Sequence, residues 1–147
     1  MVNPKQVLID LLKSYWASTA ASYSDAPQTV EAILGGIHSA PLDLSADARF
    51  PQISITQMIT HTPWATGFPT PYTASHTLTV SCAVRGVENE LQKYGMFEVV
   101  REIIRAQGKD VQSVDAFTLG RSYDADRMTP PPPTLVFVTL IGARYLI

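Results

Sequence analysis

Apolar residues recur along this chain with two periods, and the switch between them falls in the stretch from Ser75 to Gln107. His76, Leu78, Val80, Cys82 and Val84 alternate with Thr77, Thr79, Ser81, Ala83 and Arg85, the period-2 signature of a strand. Gly86 breaks the run. From Glu88 onward Leu91, Met96, Phe97, Val99, Val100, Ile103 and Ile104 share one wide helical face. Glu90, Lys93, Glu98, Arg101, Glu102 and Arg105 fall on the other face, which is expected to be wet. Glu98–Arg101 and Glu102–Arg105 are i,i+3 pairs of opposite sign, as a solvated face carries them. Gly108 ends the helix.

Upstream, Asn3 caps and Pro4 opens a helix to about Ala20, with Val7, Leu8, Leu11, Leu12, Tyr15 and Trp16 at helical spacing. Ser24 or Asp25 is expected to cap a second, shorter helix. Asp25 with Gln28 matches a capping box, Pro27 lies in its first turn, and Gly35-Gly36 end it. His38 to Phe50 reads as a loop. Ile53, Ile55 and Ile59 alternate with Ser54, Thr56 and Thr60, which gives a strand from Gln52 to about Thr60. The stretch 61–74 holds three prolines, one glycine, Trp64, Phe68 and Tyr72 without one Lys, Arg, Asp or Glu, and reads as a long hairpin arm. After the central helix, 111–119 gives a weaker strand, and 120–133 an exposed loop that ends in four prolines. Leu135 to Arg144 is the most apolar strand and is expected at the centre of the sheet, followed by an apolar tail Tyr145-Leu146-Ile147. The expected fold is a single α+β domain over residues 1–147. It has a four-stranded, mostly antiparallel sheet packed with a long central helix and the N-terminal helix. Because a helix links the strand 75–85 to the strand 111–119, a parallel or split arrangement of those two is open.

Composition adds constraints on partners. Hydrophobic residues make up 46% of the chain and charged residues only 16%, so part of the surface is expected to lie against neighbouring subunits. A net charge of -2 argues against a general nucleic-acid binder, which needs clustered Lys and Arg. No apolar run has the length of a membrane span, and the first residues lack the features of a signal peptide. The single cysteine excludes an internal disulfide and fits a reducing compartment.

Candidate chemistry is sparse. His61 and His76 flank the arm and would approach one another if its strands pair, but no spaced Cys, Asp or Glu completes a metal set. Cys82 lies on an apolar strand face with no basic partner, as a structural thiol does. Arg121, Asp124, Asp126 and Arg127 form the densest charge cluster. They lack the ordered oxygen ligands of a Ca²⁺ loop and read as a solvated loop or one that docks on a neighbour through ion pairs. Gly35-Gly36 has neither the preceding strand nor the Lys-Ser/Thr of a phosphate loop, and no G-x-S-x-G or H-E-x-x-H is present. Neither an enzyme nor a cofactor is expected.

In order, an amphipathic N-terminal helix, the strand 52–60, a long uncharged arm, the strand 76–85, the helix 88–107 and two closing strands joined by a loop resemble the tail-terminator and tail-completion proteins of long-tailed bacteriophages. The resemblance is one of element order and size and covers most of the chain. It implies a structural virion protein, assembled in the host cytoplasm, that closes into a hexameric ring. Such a ring caps the tail tube and joins it to the head connector, with tube, sheath and connector proteins as partners and DNA passing through. It implies no catalytic residues. The interface candidates are Trp64, Phe68 and Tyr72 of the arm, because aromatic side chains dominate interface energetics, together with Arg121, Asp124, Asp126 and Arg127. The alternatives are another neck or baseplate subunit, a small-ligand-binding or enzymatic α+β domain with a pocket near His61 and His76, and an adaptor that binds peptides along a strand edge.

Overall fold

The computed structural model describes residues 3–61, 73–112 and 114–146. Helix α1 spans Pro4–Ala20, and the Asn3 side chain accepts the Gln6 N–H at its start. Its apolar stripe of Val7, Leu8, Leu11, Leu12, Trp16 and Ala20 is buried. The short second helix expected after Asp25 is not formed; residues 21–35 are a succession of turns. Gln28 does not close a capping box. Its amide instead donates to the carbonyls of Ala20, Tyr23 and Ala26, and the Trp16 indole donates to the Pro27 carbonyl at 2.7 Å. With only Val30, Ile33 and Leu34 to bury, this stretch gains more from capping the end of α1 than from one more helical turn.

The sheet has six strands, not four, and it is mixed. β1 (Ile37–His38), β2 (Gln52–His61), β3 (Thr73–Arg85), β4 (Lys109–Val111), β5 (Val114–Asp124) and β6 (Thr134–Leu146) lie in the order β1-β2-β3-β6-β5-β4. The two strands missed are the two shortest and sit at the two edges, where two or three residues carry no period to read. β1 pairs with β2 in parallel; every other pairing is antiparallel. Helix α2 (Glu90–Gln107) follows β3 after a 3-10 turn, Val87–Asn89. β3 and β5 both run antiparallel to β6, so they are parallel to each other with β6 between them: α2 makes a split crossover. β5 reaches Asp124, five residues beyond the expected end at Leu119, across an irregularity between Leu119 and Ser122. Tyr145 and Leu146 are part of β6 and not a free tail.

Both helices lie on one face of the sheet. Even-numbered positions of β3 (Leu78, Val80, Cys82, Val84) and odd ones of β2 and β6 (Ile53, Ile55, Leu135, Ile141) are buried with α1 and α2 in one core. Helix α2 approaches the turns that follow α1 closely through Gly95, where an added Cβ would stand 2.8 Å from the Ala26 backbone nitrogen. On the opposite face Ala83, Val136 and Val138 form a small second core under Leu42 and Phe50 of the segment 39–50. The rest of that face carries hydroxyls, among them Thr56, Thr77, Ser81 and Thr118, which are half-buried or exposed, together with Leu140 and Arg144, the latter paired with Asp115.

Candidate functional site

Of the four charged residues singled out in the 120–133 region, the structure brings two together, and it does so on a residue expected to be wet. Lys93 is fully buried, with a side-chain exposure of 0%. Its Nζ lies 2.9 Å from Asp124 Oδ1 and 3.2 Å from Asp126 Oδ1. Asp124 is the last residue of β5 and is paired with Phe137 of β6, so its carboxylate reaches the helix side at the start of α2. The Tyr94 hydroxyl donates to the same carboxylate at 3.0 Å, while its ring meets Phe137 edge-on at 5.3 Å. Asp126 accepts the Val136 N–H at 2.8 Å, which fastens the residues after β5 to the start of β6.

The electrostatics follow from this geometry. Burial alone would depress the Lys93 ammonium, but the hydrogen bonds to Asp124 and Asp126 and their charges prevail and raise its pKa. The Lys93 hydrogen bond is the main cause holding Asp124 below the usual carboxylate range. The Tyr94 phenol is pushed up, chiefly by its donation to Asp124. The arrangement is a clasp between α2 and the β5–β6 connection. It holds two carboxylates around a protonated amine and presents no nucleophile beside a base.

Arg121 and Arg127 stay outside the clasp. The Arg121 guanidinium lies 5.7 Å from the Tyr123 ring, and Arg127 pairs with Thr134 through its backbone. Among the described residues, Leu44, Val87, Leu91, Tyr123 and Met128 are large apolar side chains exposed at this end of the sheet. Trp64, Phe68 and Tyr72 lie outside the described residues.

The histidines meet other partners. His76 Nε2 is 2.7 Å from the Tyr145 hydroxyl, and burial lowers the His76 pKa. The His61 backbone is opposite Ser75 in the β2–β3 register, and its side chain lies outside the described residues, so the expected approach of His61 to His76 does too. His38 contacts Gln52, which also accepts the Asp43 N–H and donates to the Asp43 carbonyl. Since Gln52 Oε1 already accepts a backbone N–H, His38 Nε2 is the donor in that pair. Around it lies a shallow depression of about 390 Å³ bordered by His38, Asp43, Asp47 and Arg49. Burial pushes the Cys82 thiol up to about 12, which makes it inert at neutral pH. Among the described residues, no group of three or more His, Cys, Asp and Glu side chains could hold a metal ion, and no helix is long and apolar enough to cross a membrane.

Lys93 escaped the sequence reading because it shares the α2 face of Glu90 and Arg101. The available signal was its place one turn from the N-terminal end of the helix, on a chain whose later loop holds two aspartates two residues apart. No family model matches the chain, and no curated protein matches it significantly.

Proposed function

We propose that this chain is a structural virion protein, a tail terminator whose copies close into a ring that caps the tail tube and joins it to the head connector. The observation that carries the reading is the one-sided cover of the sheet. α1 and α2 both lie on one face, while the other carries hydroxyls at Thr56, Thr77, Ser81 and Thr118 and the Arg144–Asp115 ion pair, and among the described residues the segment 39–50 is laid over one part of it. A sheet face with so little of a second layer among the described residues suits a subunit that meets neighbours there. The two sheet edges also differ, a two-residue parallel strand on one side and a three-residue antiparallel strand on the other. A head-to-tail contact that closes by rotation requires two unlike surfaces.

Within this reading, Val87, Leu91 and Met128 at the clasp end, flanked by Arg121 and Arg127, belong to a contact with a neighbouring ring or tube subunit. Trp64, Phe68 and Tyr72 anchor the contact between copies. The test is native mass spectrometry of the purified chain at low and high micromolar concentration, paired with negative-stain imaging. The expected result is a discrete hexamer that images as a ring and grows with concentration. A dimer at every concentration overturns the reading, since an isologous pair uses up the surface that a ring needs.

A further inference from the structure

We propose that the segment 39–50 is a hinged strap, latched by Arg85, that opens as a unit and uncovers an apolar strip on the helix-free face while the rest of the sheet stays folded. The proposal stands independently of the ring.

The two ends of the segment are pinched together at a neck. Gly35 N–H donates to the Pro51 carbonyl at 2.9 Å, and Ile53 N–H donates to the Gly36 carbonyl at 3.0 Å. Gly36 holds φ at +79°, a left-handed conformation that glycine adopts without strain, and a Cβ on Gly35 would stand 2.4 Å from the Arg49 carbonyl oxygen. A loop whose ends already touch swings without pulling on the strands that carry it, as compact surface loops of this length do.

Beyond the neck the strap rests on few side chains of its own. Leu42, Ala48 and Phe50 are half-buried, and every other residue from Ser39 to Phe50 is exposed. Leu42 and Phe50 are what cover Ala83, Val136 and Val138. The remaining hold comes from the sheet. Arg85 donates to the carbonyls of Ser45 at 3.1 Å and of Ala46 and Leu44 at 3.5 Å, and its guanidinium lies 4.3 Å from the Phe50 ring centre. Gln52 binds the Asp43 backbone, and the Ser54 hydroxyl donates to the Ala40 carbonyl.

One of these contacts is imperfect. Arg85 Nε is buried with no hydrogen-bond partner, so the closed latch carries the cost of a desolvated donor that opening returns to water. Little apolar burial, exposed backbone and an unmet donor at the latch are the features of a unit that opens below the global unfolding free energy.

The test is hydrogen exchange of the full chain read at peptide resolution. In the wild type, peptides within 39–50 are expected to exchange together, at least tenfold faster than those of β3 and β6, and with a weaker urea dependence. In Arg85→Ala, exchange across 39–50 rises a further tenfold, and bis-ANS fluorescence increases several-fold as the Ala83–Val136–Val138 strip is uncovered. The neck amides of Gly35 and Ile53 keep their wild-type rates. Strap peptides that exchange in step with β3 in the wild type overturn the proposal without any variant. Acceleration that spreads equally to Gly35 and Ile53 overturns it too, because the edge would then be unravelling and no hinge exists.

Discussion

Replacing both aspartates of the clasp should cost far more stability than removing the lysine they hold. In Asp124→Asn/Asp126→Asn the ammonium of Lys93, with 0% of its side chain exposed, keeps its burial and loses both anionic partners. An uncompensated buried charge of this kind costs about 3–5 kcal/mol. In Lys93→Met the carboxylates are what remain, and they are 50% and 31% exposed, so water takes the place of the amine. Methionine fills most of the volume of the lysine stem, and such a replacement of a buried ion is expected to stay within about 1.5 kcal/mol of wild type. Asp126 sharpens the contrast, because its asparagine still offers an oxygen to the Val136 N–H and only the charge is removed. For a chain of this size each kcal/mol moves the midpoint by roughly 2–4 °C. The double variant should therefore melt about 6–20 °C below wild type and the lysine variant within a few degrees.

Urea unfolding followed by circular dichroism and by tryptophan emission gives both numbers. The signs with pH are fixed by the shifts: the lowered Asp124 pKa means its contribution is lost as acid drives pH below the ordinary carboxylate value of 3.8. The raised Lys93 pKa means its contribution is lost as pH climbs past 10.5. The difference between wild type and the double variant should be full between those limits and shrink at both. A lysine variant that loses as much stability as the double variant, or a double variant within about 1 kcal/mol of wild type, would refute the assignment of Lys93 as a buried, charged hub.

Further outcomes follow from single contacts. His76 has a lowered pKa in the folded state, so the unfolded chain binds its proton first; stability should fall as pH drops below about 6.5, and His76→Phe should flatten the urea midpoint between pH 7 and 5. Gly95→Ala should destabilise by about 1–3 kcal/mol despite alanine's better helix propensity, since the new Cβ meets backbone of Asp25 and Ala26 within 3 Å; a thermal melt above wild type would contradict that packing. Trp16→Phe should lose about 1–3 kcal/mol in urea titration through the orphaned Pro27 carbonyl and the void left by the indole. Cys82 should react with a thiol reagent only at the rate of global unfolding, and prompt labelling at neutral pH would show that the strand opens locally.

The long elements were legible because each has a period and a reason to keep it. In β3 an unbroken alternation survives because one face meets two helices and the other meets mostly hydroxyls. In α2 the apolar stripe is wide enough to contact the sheet and α1 together. What escaped the reading are features decided by tertiary contacts. β1 exists because Gly36 turns Ile37 and His38 alongside Ile53 and Ser54, and two residues have no pattern of their own. Gln28 looked like the third residue of a capping box, yet three carbonyls at the end of α1 offered its amide better use.

Lys93 is the instructive case, because periodicity assigned it correctly to the polar face of α2 and still misjudged its surroundings. A polar helix face is wet only where nothing crosses it. Here β5 runs five residues past Leu119 and delivers Asp124 to the helix, and Asp126 follows where the chain turns toward β6. The strand's length, not the helix's pattern, buries the lysine. The same extension ties Asp124 and Asp126 to Lys93, while Arg121 and Arg127 stay outside that contact. A charge cluster that looked like one unit in the sequence divides into two aspartates that hold a buried lysine and two arginines that take no part in that contact.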